Sequence, residues 1–510
     1  MRERSRPDWV IAGLFALAGL LLLANLENGL LWQDEAETAL LARHVLRFGY
    51  PRAFDGRHWL ELAGYGFGPG EAWIYSPWLP FYLLAGVFAL AGEATWIARL
   101  PFALCGLATV WLTWRLACRL TPDARIQRLS VALLACSVPF LLHMRQCRYY
   151  AMATALLTAV CLAYLNFLAR PSLRRAAALT LSLVLLFHTN FGTFLPALAA
   201  LFLHQAVWGT RQTSRPFLWS LGLVVLVTFP WALYFYQPAF LGELSPARVY
   251  RHLEYYVRIT NKYLMPLAAM AATSLGFLLW RGRAASLRAV PSTPPLRAGS
   301  TLPPSIRWWL ILLVGLQVAF LTLPDQRHMR YLIPALPVLV IAEAWWLASL
   351  GLRNGRRSLG WVLVALAVLT NALQAVPPSI PLLDLAEELT HPYIGPMEGV
   401  VGYLRAHGRP GQVVKIPYDD RTLIFYTDLT IQRPSEFLRE TYPDWVVIRR
   451  GWTPAHFFKS AQYRRLEATY ERIDLDAPDA FWQNREDPGL HHFRRAWWPP
   501  PVLMFRKRVG

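Results

Sequence analysis

Lysine is nearly missing from this chain of 510 residues, and charge of any kind is scarce. Charged residues make up 16% of the sequence, against about 25% in typical soluble domains. A soluble chain of this length would form several domains with more charge. The formal net charge of +19 therefore comes almost entirely from arginine. The lysines are Lys262, Lys415, Lys459 and Lys507.

Cysteine is also rare, and its placement excludes a disulfide framework in the second half of the chain. The odd count of five includes no residue after Cys161. A small secreted fold held by disulfides would need paired cysteines there. The first apolar run has no small-residue cleavage site after it, which predicts a retained membrane anchor rather than a removed signal peptide.

Hydrophobic residues, by contrast, make up 55% of the sequence and come in blocks of 14 to 21 residues. Such blocks are typical of membrane spans. Much of the arginine lies in short loops between blocks, as in membrane proteins, so we discount nucleic acid as a partner. The blocks lie near 9–26, 77–92, 96–114, 129–142, 149–168, 175–188, 190–207, 216–236, 263–280, 308–323, 331–350 and 359–377.

The basic loops predict the orientation of the spans. Arg2, Arg4 and Arg6 place the N-terminus in the cytoplasm, and the arginine-rich loop 115–128 is also expected inside. The N-terminus and the loop 115–128 can both lie in the cytoplasm only if one of the apolar blocks before residue 115 does not cross the membrane. Block 77–92 is short and begins "SPWLPFY", so we interpret it as a juxtamembrane helix.

We therefore predict an all-α polytopic membrane protein of about eleven transmembrane helices plus juxtamembrane helices, with a small C-terminal α/β domain outside the cytoplasm. The transmembrane domain is expected over residues 1–377, with a first outer loop at 27–76. The α/β domain is expected over 378–510. There "MEGVVGYLRAHGRPGQVVKIPY" predicts a helix, a turn and a strand, and "DWVVIRR", "YERIDLD" and "VLMFRKR" predict further strands.

Three turns on the predicted outer face carry arginine, histidine or tyrosine beside apolar spans. They read "HMRQCRYY" at 143–150, "HTNF" at 188–191 and "DQRHMRY" at 325–331. The positive-inside rule would not place arginines there, so they suggest a bound anion. The alternative is that each arginine snorkels to outer lipid head groups.

Three carboxylates, Asp34, Glu35 and Glu37, stand where the first span meets the outer side. Carboxylates and arginines on one outer surface suit transfer of a sugar from a lipid phosphate. The acceptor needs a carboxylate base, and the leaving phosphate needs cationic donors, which arginine supplies without a metal. Asp34 also has a structural interpretation: it could cap a helix, with Glu37 as the capping-box partner.

These segments resemble the protein O-mannosyltransferase family and the lipid A aminoarabinose transferases. The resemblance covers roughly residues 9–350. It is carried by "WQDEAETALLARHVLRFG", by "YSPWLPFYLLAGVFALAGEATWIARLPFALCGLATV" with its "ARLP", by "MRQCRYYAMATALLTAV" and by "RHMRYLIPALPVLV". It implies a membrane fold of the GT-C type, inverting transfer and a polyprenyl-phosphate sugar donor. It also implies that Asp34 takes the catalytic-base position, with Glu35 as its catalytic neighbour.

The chain departs from the family in two turns. Thr189-Asn190-Phe191 stands where the family has Thr-His-Tyr, and His188 lies just upstream. Where the aminoarabinose transferases have Glu-Lys-Pro-Pro, this chain has Tyr75-Ser76-Pro77. With no lysine there, the donor phosphate is expected to bind Arg145, Arg148 or Arg330.

Four residues are predicted to line the substrate: Tyr75, Tyr149, His188 and Tyr331. The tyrosines alternatively form an interfacial aromatic belt. We predict no metal site and no cofactor.

The sequence thus predicts a multi-pass glycosyltransferase of the inner (plasma) membrane. The N-terminus is expected in the cytoplasm and the C-terminal domain outside. Its expected partners are a polyprenyl-phosphate-linked sugar, membrane lipid, and a glycan, lipid or protein acceptor. A transporter or flippase of a lipid-linked sugar is the alternative; it would be favoured by inverted repeats or broken midplane helices, and neither is clear. A membrane-anchored assembly protein is a third possibility, against which the acidic first loop argues.

Overall fold

A computed structural model describes residues 8–60, 66–235, 245–276, 302–351, 367, 381–480 and 500–508. The predicted span at 359–377 lies outside the described residues, apart from residue 367. The chain folds into two compact units. Unit one comprises Met1–Ala24, Phe102–Arg145 and Tyr149–Leu383, and unit two comprises Asn25–Pro101, Gln146–Arg148 and Asp384–Gly510. The division of the sequence at residue 377 stays a prediction.

The described residues are mostly helical. In chain order the helices are α1 (Trp9–Leu23), α2 (Gln33–Phe48), α3 (Leu79–Ala91), α4 (Thr95–Leu120), α5 (Ala124–Ala135), α6 (Val138–Met144), α7 (Tyr150–Ala169), α8 (Leu173–Phe187), α9 (Phe191–Trp208), α10 (Arg211–Phe235), α11 (Pro246–Ile259), α12 (Leu267–Gly276), α13 (Pro304–Phe320), α14 (Leu336–Gly351), α15 (Pro381–Thr390), α16 (Pro396–His407), α17 (Asp420–Tyr426) and α18 (Ala461–Thr469).

Four of the described helices, α4, α7, α9 and α10, are long and apolar enough to cross a membrane. The pair α5 and α6 passes the same test together but bends by 59° at its break. Pro139 stands at the start of α6 and has no N–H to continue the hydrogen-bond ladder of α5, which accounts for the break. Shorter apolar helices coincide with further predicted blocks, and the count of eleven spans stays a prediction.

The core of unit one is formed by α4, α7, α8, α9, α10, α13 and α14 around buried aromatic rings. The ring of Tyr164 lies 5.0 Å from that of Trp309, and both side chains are buried. The Tyr164 hydroxyl is 2.6 Å from Nδ1 of His204 and accepts a hydrogen bond from Gln205. The phenol is thereby satisfied inside an apolar core, where an unpaired hydroxyl would be costly.

Unit two contains a five-stranded sheet. Its strands are β1 (Val413–Lys415), β2 (Thr430–Ile431), β3 (Trp445–Ile448), β4 (Tyr470–Pro478) and β5 (Pro501–Lys507). Their order in the sheet is β2-β1-β3-β5-β4. Strand β1 is parallel to β2 and β3, while β5 is antiparallel to β3 and β4. The strands predicted from the C-terminal sequence are therefore present.

Candidate active site

The acidic stretch after the first span forms the first turns of α2 in unit two. The helix begins at Gln33, with Trp32 in the N-cap position. Oε2 of Glu35 accepts a hydrogen bond from the Trp32 backbone N–H at 3.3 Å, as the acidic member of a capping box does. Acidic side chains are favoured here because the helix dipole is positive at this end.

This geometry corrects the structural interpretation of Asp34. Asp34 lies inside the helix rather than at its N-cap, and Glu35, not Glu37, takes the capping-box position. Capping therefore does not explain why an aspartate stands at position 34. Its carboxylate is 20% exposed, with Oδ2 at 3.7 Å from Nη2 of Arg148.

Glu35 is fully buried and bound from several directions. The Arg99 guanidinium donates to Oε1 at 2.9 Å and to Oε2 at 2.7 Å, and the Cys147 backbone N–H donates to Oε1 at 2.8 Å. Arg99 also donates to four backbone carbonyls of the loop before α2, those of Leu26, Asn28, Gly29 and Leu30. This ion pair fixes the loop, the start of α4 and the turn at 146–148 against α2.

Glu37 is bound by two arginines at once. Arg148 donates to its Oε1 at 3.0 Å, and Arg421 donates to its Oε2. Arg148 also donates to the Asp34 backbone carbonyl at 2.9 Å and to the Thr38 hydroxyl at 3.2 Å. Only 3% of the Glu37 side chain is exposed. The Arg148 fork thus holds the face of α2 on which Asp34 lies.

Arg421 comes from α17, a short helix of the C-terminal region. Two further contacts hold α17 on the first turn of α2: Gln33 donates to Oδ1 of Asp420 at 2.5 Å, and Thr422 donates to the Leu31 carbonyl at 2.9 Å. Burial alone would lower the pKa of Arg421. The nearby carboxylates, chiefly Glu37, outweigh it and raise the pKa above its ordinary value, so the guanidinium stays charged.

The residue before α17 has an unusual backbone. Asp419 has φ of +67°, the left-handed region that non-glycine residues rarely adopt. Its buried carboxylate pairs with Arg449, which also donates to Asp479 at 2.8 Å. Burial raises the pKa of Asp419 to about 6, although Arg449 opposes the shift. This ion-pair network holds the turn that delivers α17.

The other predicted site residues lie mainly in unit one. Arg145 donates to the carbonyls of Leu21, Leu22 and Ala24, so its guanidinium caps the C-terminal end of α1. Arg330 is buried, with the rings of Tyr150 and Tyr331 each 5.8 Å from its guanidinium carbon.

Three aromatic residues predicted to line the substrate have mainly aromatic neighbours. The ring of Tyr149 lies 4.3 Å from that of Tyr150. His188 ends α8 and lies edge-on to Trp231 at 5.7 Å. Tyr75 lies in unit two, edge-on to Trp73 at 5.8 Å. These contacts leave the substrate-lining role of all four residues, Tyr331 included, a prediction.

The structure therefore brings Asp34, Glu35 and Arg148 together and adds two arginines that sequence reasoning missed. The signal for Arg99 was its place in the "ARLP" motif. Arg421 lies in "DDRTLIF", a charged cluster between apolar runs. Nothing in this segment predicts that Arg421 contacts Glu37. Within the described ranges no group of three histidine, cysteine, aspartate or glutamate side chains is placed to hold a metal ion.

Replacing Glu35 by glutamine should destabilise the protein strongly. The substitution leaves the buried Arg99 guanidinium without its counter-charge, and breaking a buried pair in this way costs about 3–5 kcal/mol. The measurement is the midpoint of unfolding in detergent. The matched control is Glu93→Gln, which breaks the half-exposed pair with Arg43 and should cost at most about 1 kcal/mol. Equal effects of the two substitutions would contradict an anchoring role for Glu35.

Comparison with known proteins gives a family profile that matches part of the chain and a shared fold. Residues 75–234 match the sequence profile of the dolichyl-phosphate-mannose-protein mannosyltransferase family. No curated protein sequence matches the chain. ArnT from Cupriavidus metallidurans, bound to undecaprenyl phosphate, has a similar structure, with a TM-score of 0.56 and 13% identity over 99% of both chains.

Two further solved structures share the fold. The archaeal oligosaccharyltransferase AglB from Archaeoglobus fulgidus, in complex with an inhibitory peptide and a dolichol-phosphate, matches with a TM-score of 0.51 and 12% identity over 95% of this chain and 75% of that one. The mycobacterial arabinofuranosyltransferase AftD matches with a TM-score of 0.52 and 14% identity over 100% of this chain and 42% of that one. The resemblance predicted from the sequence is thus confirmed, and the chain has the GT-C glycosyltransferase fold.

Proposed function

We propose that this protein is an inverting membrane glycosyltransferase that moves a sugar from a polyprenyl-phosphate donor to an acceptor on the outer face of the cytoplasmic membrane. The observation that carries the proposal is the carboxylate cluster on α2. Three carboxylates stand within four residues there, two are buried in ion pairs, and only Asp34 keeps an accessible side chain. The lipid phosphates bound in ArnT and AglB support a donor of that class.

In this mechanism Asp34 is the general base. As the acceptor oxygen forms its bond to the anomeric carbon of the sugar, its proton passes to the Asp34 carboxylate. The bond between that carbon and the phosphate oxygen breaks with its electron pair, and the lipid phosphate leaves from the opposite side. Attack from one side and departure from the other invert the anomeric centre.

We assign positioning rather than catalysis to Glu35 and Glu37. Both are buried and paired with arginines, so neither is placed to take a proton from an acceptor. Arg148 holds the Asp34 face of α2. Binding of the donor phosphate by Arg145 or Arg330 stays a prediction from the sequence.

The test is a reaction of purified protein in detergent with a synthetic polyprenyl-phosphate-linked sugar and a mixture of envelope glycans and lipids. Release of the polyprenyl phosphate together with a glycosylated product of opposite anomeric configuration supports the proposal. Mass spectrometry detects the lipid and NMR the configuration. Movement of intact donor between leaflets of proteoliposomes, with no release of phosphate, would instead identify a flippase.

The proposed sidedness predicts the accessibility of two positions. In a background without the five native cysteines, Ala124→Cys should be protected from a membrane-impermeant thiol reagent in intact cells, and Ile394→Cys should be labelled. Both side chains are exposed in the structure, so protection reports the membrane and not burial. Permeabilised cells are the control, in which both positions should react. Labelling of both in intact cells would contradict the proposed orientation.

A further inference from the structure

A cavity in unit two has no role in the mechanism above. It has a volume of about 650 Å³, within the range usual for small-molecule sites. Its walls are one face of α2, the turn at 55–58 and the C-terminal end of α17 with the residues that follow. The lining residues are Leu40, Arg43, His44, Arg47, Asp55, Gly56, Arg57, His58, Ile424, Phe425, Tyr426, Thr427 and Asp428.

Two of the three walls are fixed by contacts of their own. Asp55 accepts hydrogen bonds from the backbone N–H groups of Arg57 and His58, both at 2.6 Å, and lies 3.0 Å from Nδ1 of His58. Arg43 makes a two-pronged ion pair with Glu93, and its guanidinium lies 4.6 Å from the Phe425 ring centre. These contacts fix the shape of the cavity.

The remaining polar groups offer both donors and an anionic acceptor at the rim. Arg47 and Arg57 are exposed, and neither forms an ion pair with any described residue. Nε of Arg57 donates to the Thr430 hydroxyl at 2.8 Å, and the Arg47 guanidinium lies 4.9 Å from the Phe48 ring centre, so both would bind a ligand through their terminal Nη groups. Asp428 is exposed on the same rim and has no ion pair within the described ranges. The rim thus carries two guanidinium groups and a carboxylate. This mixture of charges does not favour a multiply charged anion such as phosphate.

The floor adds a neutral acceptor and an apolar surface. Nδ1 of His44 lies 2.5 Å from the Arg52 carbonyl, so it carries the proton and leaves Nε2 as a hydrogen-bond acceptor. Burial lowers the pKa of His44 below its ordinary value, although the Arg52 carbonyl and Asp55 oppose the shift, so the ring is neutral at neutral pH. Leu40 and Ile424 supply buried apolar surface beside it.

We infer that this cavity is a saccharide subsite that holds a sugar unit of the acceptor remote from the reacting one. Each sugar hydroxyl group can both donate and accept a hydrogen bond. Sugar hydroxyls therefore match this cavity, which offers guanidinium donors together with carboxylate and imidazole acceptors. The C–H face of a sugar ring suits the apolar floor. The inference rests on the proposed function, and it specifies the acceptor as a glycan or glycolipid with more than one sugar.

The cavity is lined by α2, the helix that carries Asp34. Along the helix axis Leu40 is displaced about 9 Å from Asp34 and Arg47 about 20 Å, at 1.5 Å per residue, and at 3.6 residues per turn both lie on the opposite face of the helix. An acceptor must therefore extend over several sugar units and around α2 to contact Asp34 and the cavity at once. Interactions with units remote from the reacting centre are a usual source of substrate selection.

The direct test is binding of saccharides to the full-length protein, measured by saturation-transfer NMR without donor. The probes are a panel of neutral and uronate-containing di- and tetrasaccharides, with inorganic phosphate as the anion control. We expect at least one tetrasaccharide to bind, and the double variant Arg47→Ala/Arg57→Ala to weaken its binding tenfold or more. The matched control Arg409→Ala, an exposed arginine of the same unit outside the cavity, should stay within twofold. Thermal unfolding verifies that the variants are folded.

The second readout is the preference for long over short acceptors in transfer. The double variant should reduce the ratio of kcat/KM for a tetrasaccharide to that for a monosaccharide at least tenfold, mainly through KM. Absence of saccharide binding, binding unaffected by the variants, or binding of phosphate alone would overturn the subsite. Saccharide binding that the variants weaken, in a protein that releases no lipid phosphate, would uphold the subsite and reject the transferase.

Discussion

Asp34→Asn is expected to reduce sugar transfer by about 10²–10⁴-fold, the range typical of losing a general base. The amide has nearly the shape of the carboxylate and lies on a helix whose cap does not depend on it. Its lone pair is too weakly basic to take a proton from an acceptor hydroxyl. Folding, membrane insertion and donor binding should remain, so the loss should appear in kcat. The measurement is the rate of polyprenyl phosphate release at saturating donor.

The matched control is Glu71→Gln, also in unit two. Glu71 pairs with Arg52 at 2.5 Å, and about a third of each side chain is exposed, so the neutral substitution should leave transfer within twofold. Asp34→Ala should be as inactive as Asp34→Asn without greater loss of thermal stability. An active Asp34→Asn enzyme would refute the mechanism, because Glu35 and Glu37 are already bound to arginines.

Local sequence patterns predicted much of the fold. The helix after the first span, the helix–turn–strand at 396–415 and the later strands of the C-terminal region are all present. These elements depend on hydrophobic periodicity and on glycine and proline positions, which act over a few residues. The order of weak motifs along residues 9–350 was sufficient to predict the GT-C fold.

The side-chain contacts of the site could not be predicted from local sequence patterns. Arg421 meets Glu37 across 384 positions of sequence, and the contact depends on the left-handed turn at Asp419. Nothing local marks that turn, because aspartate tolerates the left-handed region better than most residues but only a small fraction of aspartates adopt it. Likewise, the sequence predicted similar roles for Arg145 and Arg148 on the outer face. In the structure Arg145 bonds to the C-terminal end of α1, whereas Arg148 bonds to α2.

The place of the helix cap shows how a small shift changes a functional interpretation. With Asp34 as the N-cap, its presence would need no catalysis. The helix begins at Gln33, and Glu35 takes the capping-box position. Asp34 therefore lies inside the helix, on the face of α2 that Arg148 contacts. Boundaries of this kind are uncertain by one or two residues from sequence alone.

Arg148→Lys is expected to lower kcat by about 10²-fold, the loss that a misplacement of about 1 Å can cause. Arg148 bonds at once to the Asp34 carbonyl, Glu37 and the Thr38 hydroxyl. A lysine keeps the charge, but its shorter side chain does not reach these acceptors, and it lacks the second guanidinium nitrogen, Nη2, which lies 3.7 Å from Oδ2 of Asp34. If Arg148 positions Asp34, donor affinity should be retained. If Arg148 instead binds the donor phosphate, as the sequence first suggested, the KM for donor should rise and titration with polyprenyl phosphate should show weaker binding.

A double-mutant cycle separates positioning from a general loss of stability. Arg421→Lys alters the other arginine on Glu37, so its effect on kcat should be non-additive with that of Arg148→Lys, because the two residues share one partner. The control is Arg472→Lys, in an exposed pair with Asp474, which should add independently and change kcat by less than twofold. Additive effects of Arg148→Lys and Arg421→Lys, together with a lower affinity for donor, would contradict the positioning role. Arg148 would then be assigned to the donor phosphate, and Asp34 would be positioned by its helix alone.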